Sequence, residues 1–178
     1  MPNSSDSTNL GCALPERLVA IVQTREAYLR SSGAAEWSGG VYDGRLRVAL
    51  MDGTGVGPAT RRTFAHELAH ACLAEKGRFP PWLHEGIAQR LSGDRLTSAA
   101  RHSIQQAIAE GQLPTLERLN PHGADTNQAQ LVYGLALWAV DLLFEKHGEI
   151  GIRNILGNGS LLAQLTREMN REFGLVKQ

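Results

Sequence analysis

The chain has 178 residues, 42% of them hydrophobic, and its 18 basic and 18 acidic side chains cancel. That length carries one domain with a real core but not two. The balanced charge argues against a nucleic-acid or membrane-electrostatic surface as the main business of the chain. The best candidate for a membrane span, residues 131–144, is too short and carries Asp141.

From the start of the chain, the polar run Pro2 to Asn9 reads as a disordered tail. Residues 1–13 are set apart as flexible, and residues 14–178 as a single domain. The tail has no basic region followed by an apolar run, so no secretory signal is expected and the cytoplasm is the default location. Two cysteines, Cys12 and Cys72, permit one disulfide without demanding it. The expectation for Cys72 is a small buried apolar side chain.

Leu18 to Val22 is a continuous apolar run and predicts a buried strand. Thr24 can cap a short helix over Arg25 to Arg30, which Gly33 ends. Residues 36–44 form a Gly-rich loop with Trp37 and Tyr42. Residues 45–50 alternate polar and apolar, the pattern of a strand with one wet face. Residues 51–58 are a Gly-rich turn.

The next stretch carries the chemistry. Thr60 to Glu75 predicts one amphipathic helix, stopped at Gly77 and followed by Pro80 and Pro81. It contains His66-Glu67-Leu68-Ala69-His70, an H-E-x-x-H pattern. On a helix the two histidines stand one above the other on the same face, and two neutral imidazoles so spaced can hold one Zn2+. Glu67 can then take a proton from a water at the metal. Small neighbours, Ala65 and Ala69, leave room for an ion. Catalytic zinc needs a third protein ligand. The following helix, opened by Pro81, offers two candidates in Trp82-Leu83-His84-Glu85-Gly86-Ile87-Ala88. His84 and Glu85 point about 100° apart on a helix, so one of the two is expected to ligate.

Beyond Ser92-Gly93-Asp94 the pattern is helical. Expected are a helix over residues 97–110, a short turn over 116–119, and a loop at 120–125 bearing His122. A long helix follows from Asn127 to His147, closed by Gly148. A short helix over 152–156 and a last one capped by Ser160 and running to Phe173 complete the chain. The order of elements predicts an α+β domain, with a small N-terminal sheet, a helical remainder and a cleft where the two meet. His102 and His147 sit among polar neighbours and read as surface residues. Trp82 reads as a core anchor, and the helical Gly86 as a close approach between the two histidine- and glutamate-bearing helices.

The pair FAHELAHACL and WLHEGIAQ resembles the gluzincin metallopeptidases, in particular the bacterial peptidase-MA-like domains. Those carry H-E-x-x-H on one helix and W-L-x-E-G-x-A on the next. The resemblance covers roughly residues 18–173, nearly the whole chain. It implies a zincin-like fold, with His66, His70 and Glu85 as zinc ligands, Glu67 as general base and a peptide or protein substrate. It also implies that the strand at residues 45–50 borders the cleft, where an extended peptide can add to its free edge. Tyr133, at the start of the apolar part of the long helix, matches a tyrosine that leans over the metal in that family. Two positions depart from the family pattern. His84 stands where asparagine or another small polar residue is more usual. Gln89 stands where some gluzincins place a carboxylate that orients a ligand histidine. The rival expectations are a zincin-like binding or scaffolding domain without proteolysis, and a purely structural zinc site in which His84 supplies a fourth ligand.

Overall fold

The computed structural model describes residues 10–12, 17–34, 38–53, 55–121 and 126–176. His122, Trp37 and the polar start of the chain lie outside the described residues. Strand β1 (Ala20–Gln23) leads into helix α1 (Arg25–Ser32), then β2 (Gly40–Tyr42) and β3 (Leu46–Ala49). The helices α2 (Pro58–Lys76), α3 (Pro81–Ser92), α4 (Ser98–Ala109), α5 (Thr126–Leu156) and α6 (Gly159–Phe173) follow, with a 3-10 turn at Leu116–Arg118 between α4 and α5. This is the α+β organisation that the element order predicts.

The sheet has the order β1-β3-β2, with β1 parallel and β2 antiparallel to β3. Two strand expectations change here. The segment at residues 18–22 is not a buried strand. The observed β1 is an edge strand of alternating exposure, and Val19 and Val22 are 49% and 46% exposed. In turn β3 is the central strand, paired on both sides, so it has no free edge for a peptide. Its alternation is read correctly in one respect: Leu46 and Val48 are buried while Arg47 reaches out to Asp43. Alternation reports which face of a strand is wet; it carries no information about which edge is paired. The outer edges belong to β1 and β2, and it is β2 whose residues line the cleft.

Helix α1 is capped as expected: the Thr24 hydroxyl accepts from the Ala27 amide, and Gly33 closes it in the left-handed conformation. Helix α2 begins at Gly57-Pro58 without a cap from its own N-cap side chain. Asp52, five residues upstream of Gly57, takes that role. Its carboxylate accepts from the amides of Ala59 and Thr60 at 3.1 and 2.7 Å, and from the Thr60 hydroxyl at 2.8 Å. Gly57 lies so close to Asp52 that a Cβ there would fall 2.5 Å from the carboxyl carbon.

Helix α3 is wedged between α2 and α5, and its Trp82, Leu83 and Ile87 are fully buried. Gly86 is required, though not at the expected contact. A Cβ there would run into the carbonyl oxygen of Ala136 and into Val140, both on α5. The close approach is therefore to the long helix rather than to α2. Helix α5 breaks at Gly148, which has φ 63° and ψ −178°, as its position after His147 predicts. In α6 it is the Asn158 side chain that caps, accepting from the Leu161 amide, in place of the expected Ser160.

The end of the presumed tail is anchored. Leu10 is buried in the main core, and Cys12 forms a disulfide with Cys72 of α2. Cys72 is thus buried as expected, but as half of a cross-link. Among the described residues no helix is long and apolar enough to cross a membrane.

Candidate metal centre

The i, i+4 row of α2 places Arg62, His66, His70 and Ala74 along one wall of a cleft of about 770 Å3. Helix α3 presents Glu85 to the same space, and the register of the two helices brings three expected ligands together. His66 Nε2 and His70 Nε2 are 3.2 Å apart. Glu85 Oε2 lies 3.4 Å from the first, and Glu85 Oε1 lies 3.3 Å from the second. One ligand atom from each of the three residues falls within 4.8 Å of the others, so the group can hold a metal ion. Glu85 is 1% exposed at its side chain, and the two imidazoles are 21% and 15% exposed. A buried carboxylate beside two imidazoles is stabilised by positive charge between them, as a proton on a ring or as a cation. The pKa of His66 reflects this. Burial works to lower it, but the hydrogen bond and charge of Glu85, with the charges of Glu67 and Asp94, raise it above its ordinary value.

His84 does not join the cluster. Its Nδ1 lies 3.4 Å from His70 Nδ1, on the side of that ring away from the Nε2 that meets His66 and Glu85. Of the two candidates on α3, Glu85 joins the group that can hold a metal ion, and His84 lies outside it.

Glu67 is 6% exposed and lines the cleft beside the cluster. What covers it is the strand β2. A Cβ on Gly40 would fall 2.6 Å from Glu67 Cγ and 2.7 Å from its Oε1. The backbone of β2 therefore lies directly against the carboxylate. Tyr28 of α1, fully buried, fixes that approach: its hydroxyl is 2.8 Å from Ser38 Oγ, which donates to the Gly40 carbonyl at 2.9 Å. Arg25 also donates to the Ser38 carbonyl. Sequence reasoning misses this arm of the site. The Gly39-Gly40 pair is visible as a loop signal, but nothing local ties it to a helix more than twenty residues away.

Tyr133 of α5 lines the cleft with Glu67 and Glu85. Burial first, then the charges of those two carboxylates, push its pKa well above the ordinary value. The phenol stays protonated and is a hydrogen-bond donor throughout the neutral range. The amide nitrogen of Gln89, one turn after Glu85, donates to the carbonyls of Tyr133, at 3.0 Å, and Glu85, at 3.2 Å. It stitches α3 to α5 at the tyrosine. His102 and His147 are exposed, as expected.

No protein-family model matches the chain, and no curated protein and no solved structure matches it.

Proposed function

We propose that the chain is a zinc-dependent peptidase of the gluzincin type. The observation that carries this reading is the spacing of the ligand atoms. The two imidazole nitrogens are 3.2 Å apart, and each lies 3.3–3.4 Å from a different oxygen of Glu85. One ligand atom from each residue falls within 4.8 Å of the others, close enough for a single ion bound at about 2.0–2.2 Å to draw in all three. Two imidazoles and one carboxylate are a donor set suited to zinc, and three protein ligands leave a coordination position for a reactant. A zinc ion held there supplies a Lewis acid that acidifies water and polarises a carbonyl.

The chain's own residues supply the rest. Glu67 takes a proton from the attacking water and delivers it to the departing amine. The protonated Tyr133 donates a hydrogen bond to the oxygen on which negative charge develops. The substrate lies along β2, the edge strand whose residues line the cleft with His66 and Glu67. There an extended peptide can continue the sheet through main-chain hydrogen bonds. This moves the substrate strand from β3, where the sequence places it, to β2.

The Cys12–Cys72 disulfide supports an oxidising compartment rather than the cytoplasmic default, because such bonds are rare where thiols are kept reduced.

The test is Glu67→Gln. The variant is expected to keep its metal and lose peptide hydrolysis by about 10²-fold or more. Full activity with metal bound would overturn the mechanism and return the chain to the binding-domain reading.

A further inference from the structure

The histidine that departs from the family pattern has a place in the geometry. The two ring nitrogens of His70 face different groups. Nε2 meets His66 Nε2 at 3.2 Å and Glu85 Oε1 at 3.3 Å. Nδ1 meets His84 Nδ1 at 3.4 Å. The His70 and His84 rings are inclined by only 25° with centroids 5.7 Å apart, so each nitrogen lies near the plane of the other ring's edge.

A neutral imidazole has one N–H and one lone pair. For His70 to offer a lone pair at Nε2, its proton must sit on Nδ1, and that N–H needs an acceptor. The nitrogen opposite is His84 Nδ1. His84 must then carry its own proton on Nε2, so the two rings hold complementary tautomers. Its position is itself fixed. His84 lies in the first turn of α3, its amide donates to the Pro80 carbonyl at 3.2 Å, and the Phe79 ring stands 5.9 Å from its own.

We propose that His84 is a positioning residue for the metal: it accepts the Nδ1–H of His70, and so holds the ring in the orientation and tautomer that present Nε2 to the ion. The inference rests on the metal-site reading above. It assigns His84 neither a ligand role nor a contact with substrate. Partners of this kind raise the basicity of a ligand histidine and fix its ring, and their loss typically weakens metal affinity by about 10- to 100-fold.

The experiment is competition between the protein and a chromophoric chelator for Zn2+, on the full chain, with His84→Ala and His84→Asn beside the unaltered protein. The amide oxygen of asparagine falls near the place of imidazole Nδ1 and accepts the same bond. His84→Ala is expected to bind zinc about 10- to 100-fold more weakly, and His84→Asn to recover most of the loss. Equal affinity in all three overturns the proposal while leaving the metal site intact. So does an equal loss in both variants, which would mean that the ring acts by packing alone. Absence of zinc binding by the unaltered protein instead removes the underlying reading. A second measurement needs no variant. In 15N-labelled, zinc-loaded protein, the His70 proton is expected on Nδ1, with a scalar coupling across the hydrogen bond to His84 Nδ1. A His70 Nδ1 without that coupling overturns the assignment even if His84→Ala fails to fold.

Discussion

At the scale of single residues, the site depends on an approach between backbone and carboxylate that has little slack. Gly40 lies against Glu67 with no space for a methyl group. Gly40→Ala is therefore expected to displace the carboxylate or the strand while leaving His66, His70 and Glu85 where they are. Zinc content should be unchanged and kcat lowered by about 10²-fold, the usual consequence of misplacing a reacting group by about 1 Å. A variant with normal turnover would show that Glu67 does not need this position. The grouping of His66, His70 and Glu85 was legible in the sequence because their spacing is local: four residues within α2 for the histidines, and one short connection to α3 for Glu85. The support of Glu67 was not. The link from Tyr28 through Ser38 to Gly40 joins α1, a loop and a strand edge, and each of these residues has an unremarkable local role. The side chain of Gln89 likewise gives no sign in sequence that its partner is a carbonyl 44 positions on.

At the scale of elements, α2 is held from outside. Its first turn is capped by Asp52, whose pKa is lowered from 3.8 by the hydrogen bond from the Thr60 amide above all; desolvation opposes this, and further bonds from the Thr60 hydroxyl and the Ala59 and Gly57 amides add to the lowering. The folded value lies below the unfolded one, so the contribution to stability is present above the unfolded value. It is lost as the pH falls through the folded value. Asp52→Asn, which cannot ionise, should melt at a lower temperature than the unaltered protein at neutral pH, and the gap should close on acidification below that window. A gap independent of pH would show that the charge contributes nothing. The cap escaped sequence reasoning because Asp52 sits among glycines, outside the usual N-cap offset. Helix boundaries were otherwise legible wherever a chain-local signal set them, as at Thr24, Gly77, Gly93 and Gly148. The order of the strands was not. It is set by pairing between strands separated in sequence, and the short runs at residues 18–22 and 45–50 carry only their faces.

At the scale of the whole molecule, β2, α2, α3 and Tyr133 of α5 line one cleft, and the disulfide ties Cys12 to the back of the helix that bears both histidines. Cys12 and Cys72 close a loop with a sequence separation of 60, for which loop entropy corresponds to about 4 kcal/mol of stabilisation. Changing both cysteines to serine should lower the melting temperature markedly, and reduction of the unaltered protein should do the same. Unchanged stability after reduction would mean that Leu10 and the core hold the segment without the bond. The pairing was not readable from two cysteines alone, since one bond was permitted and none was required. The α+β organisation was readable, because strand-like and helix-like periodicities occupy separate parts of the chain.

The central claim is that His66, His70 and Glu85 hold zinc. The most direct measurement is the zinc content of protein purified without added metal, with His66→Ala prepared alongside. The account predicts about one zinc per chain, as a single tetrahedral site with three protein ligands requires, and its loss in the variant. Protein that takes up no zinc even after reconstitution, or a His66→Ala variant that binds it equally well, would contradict the claim.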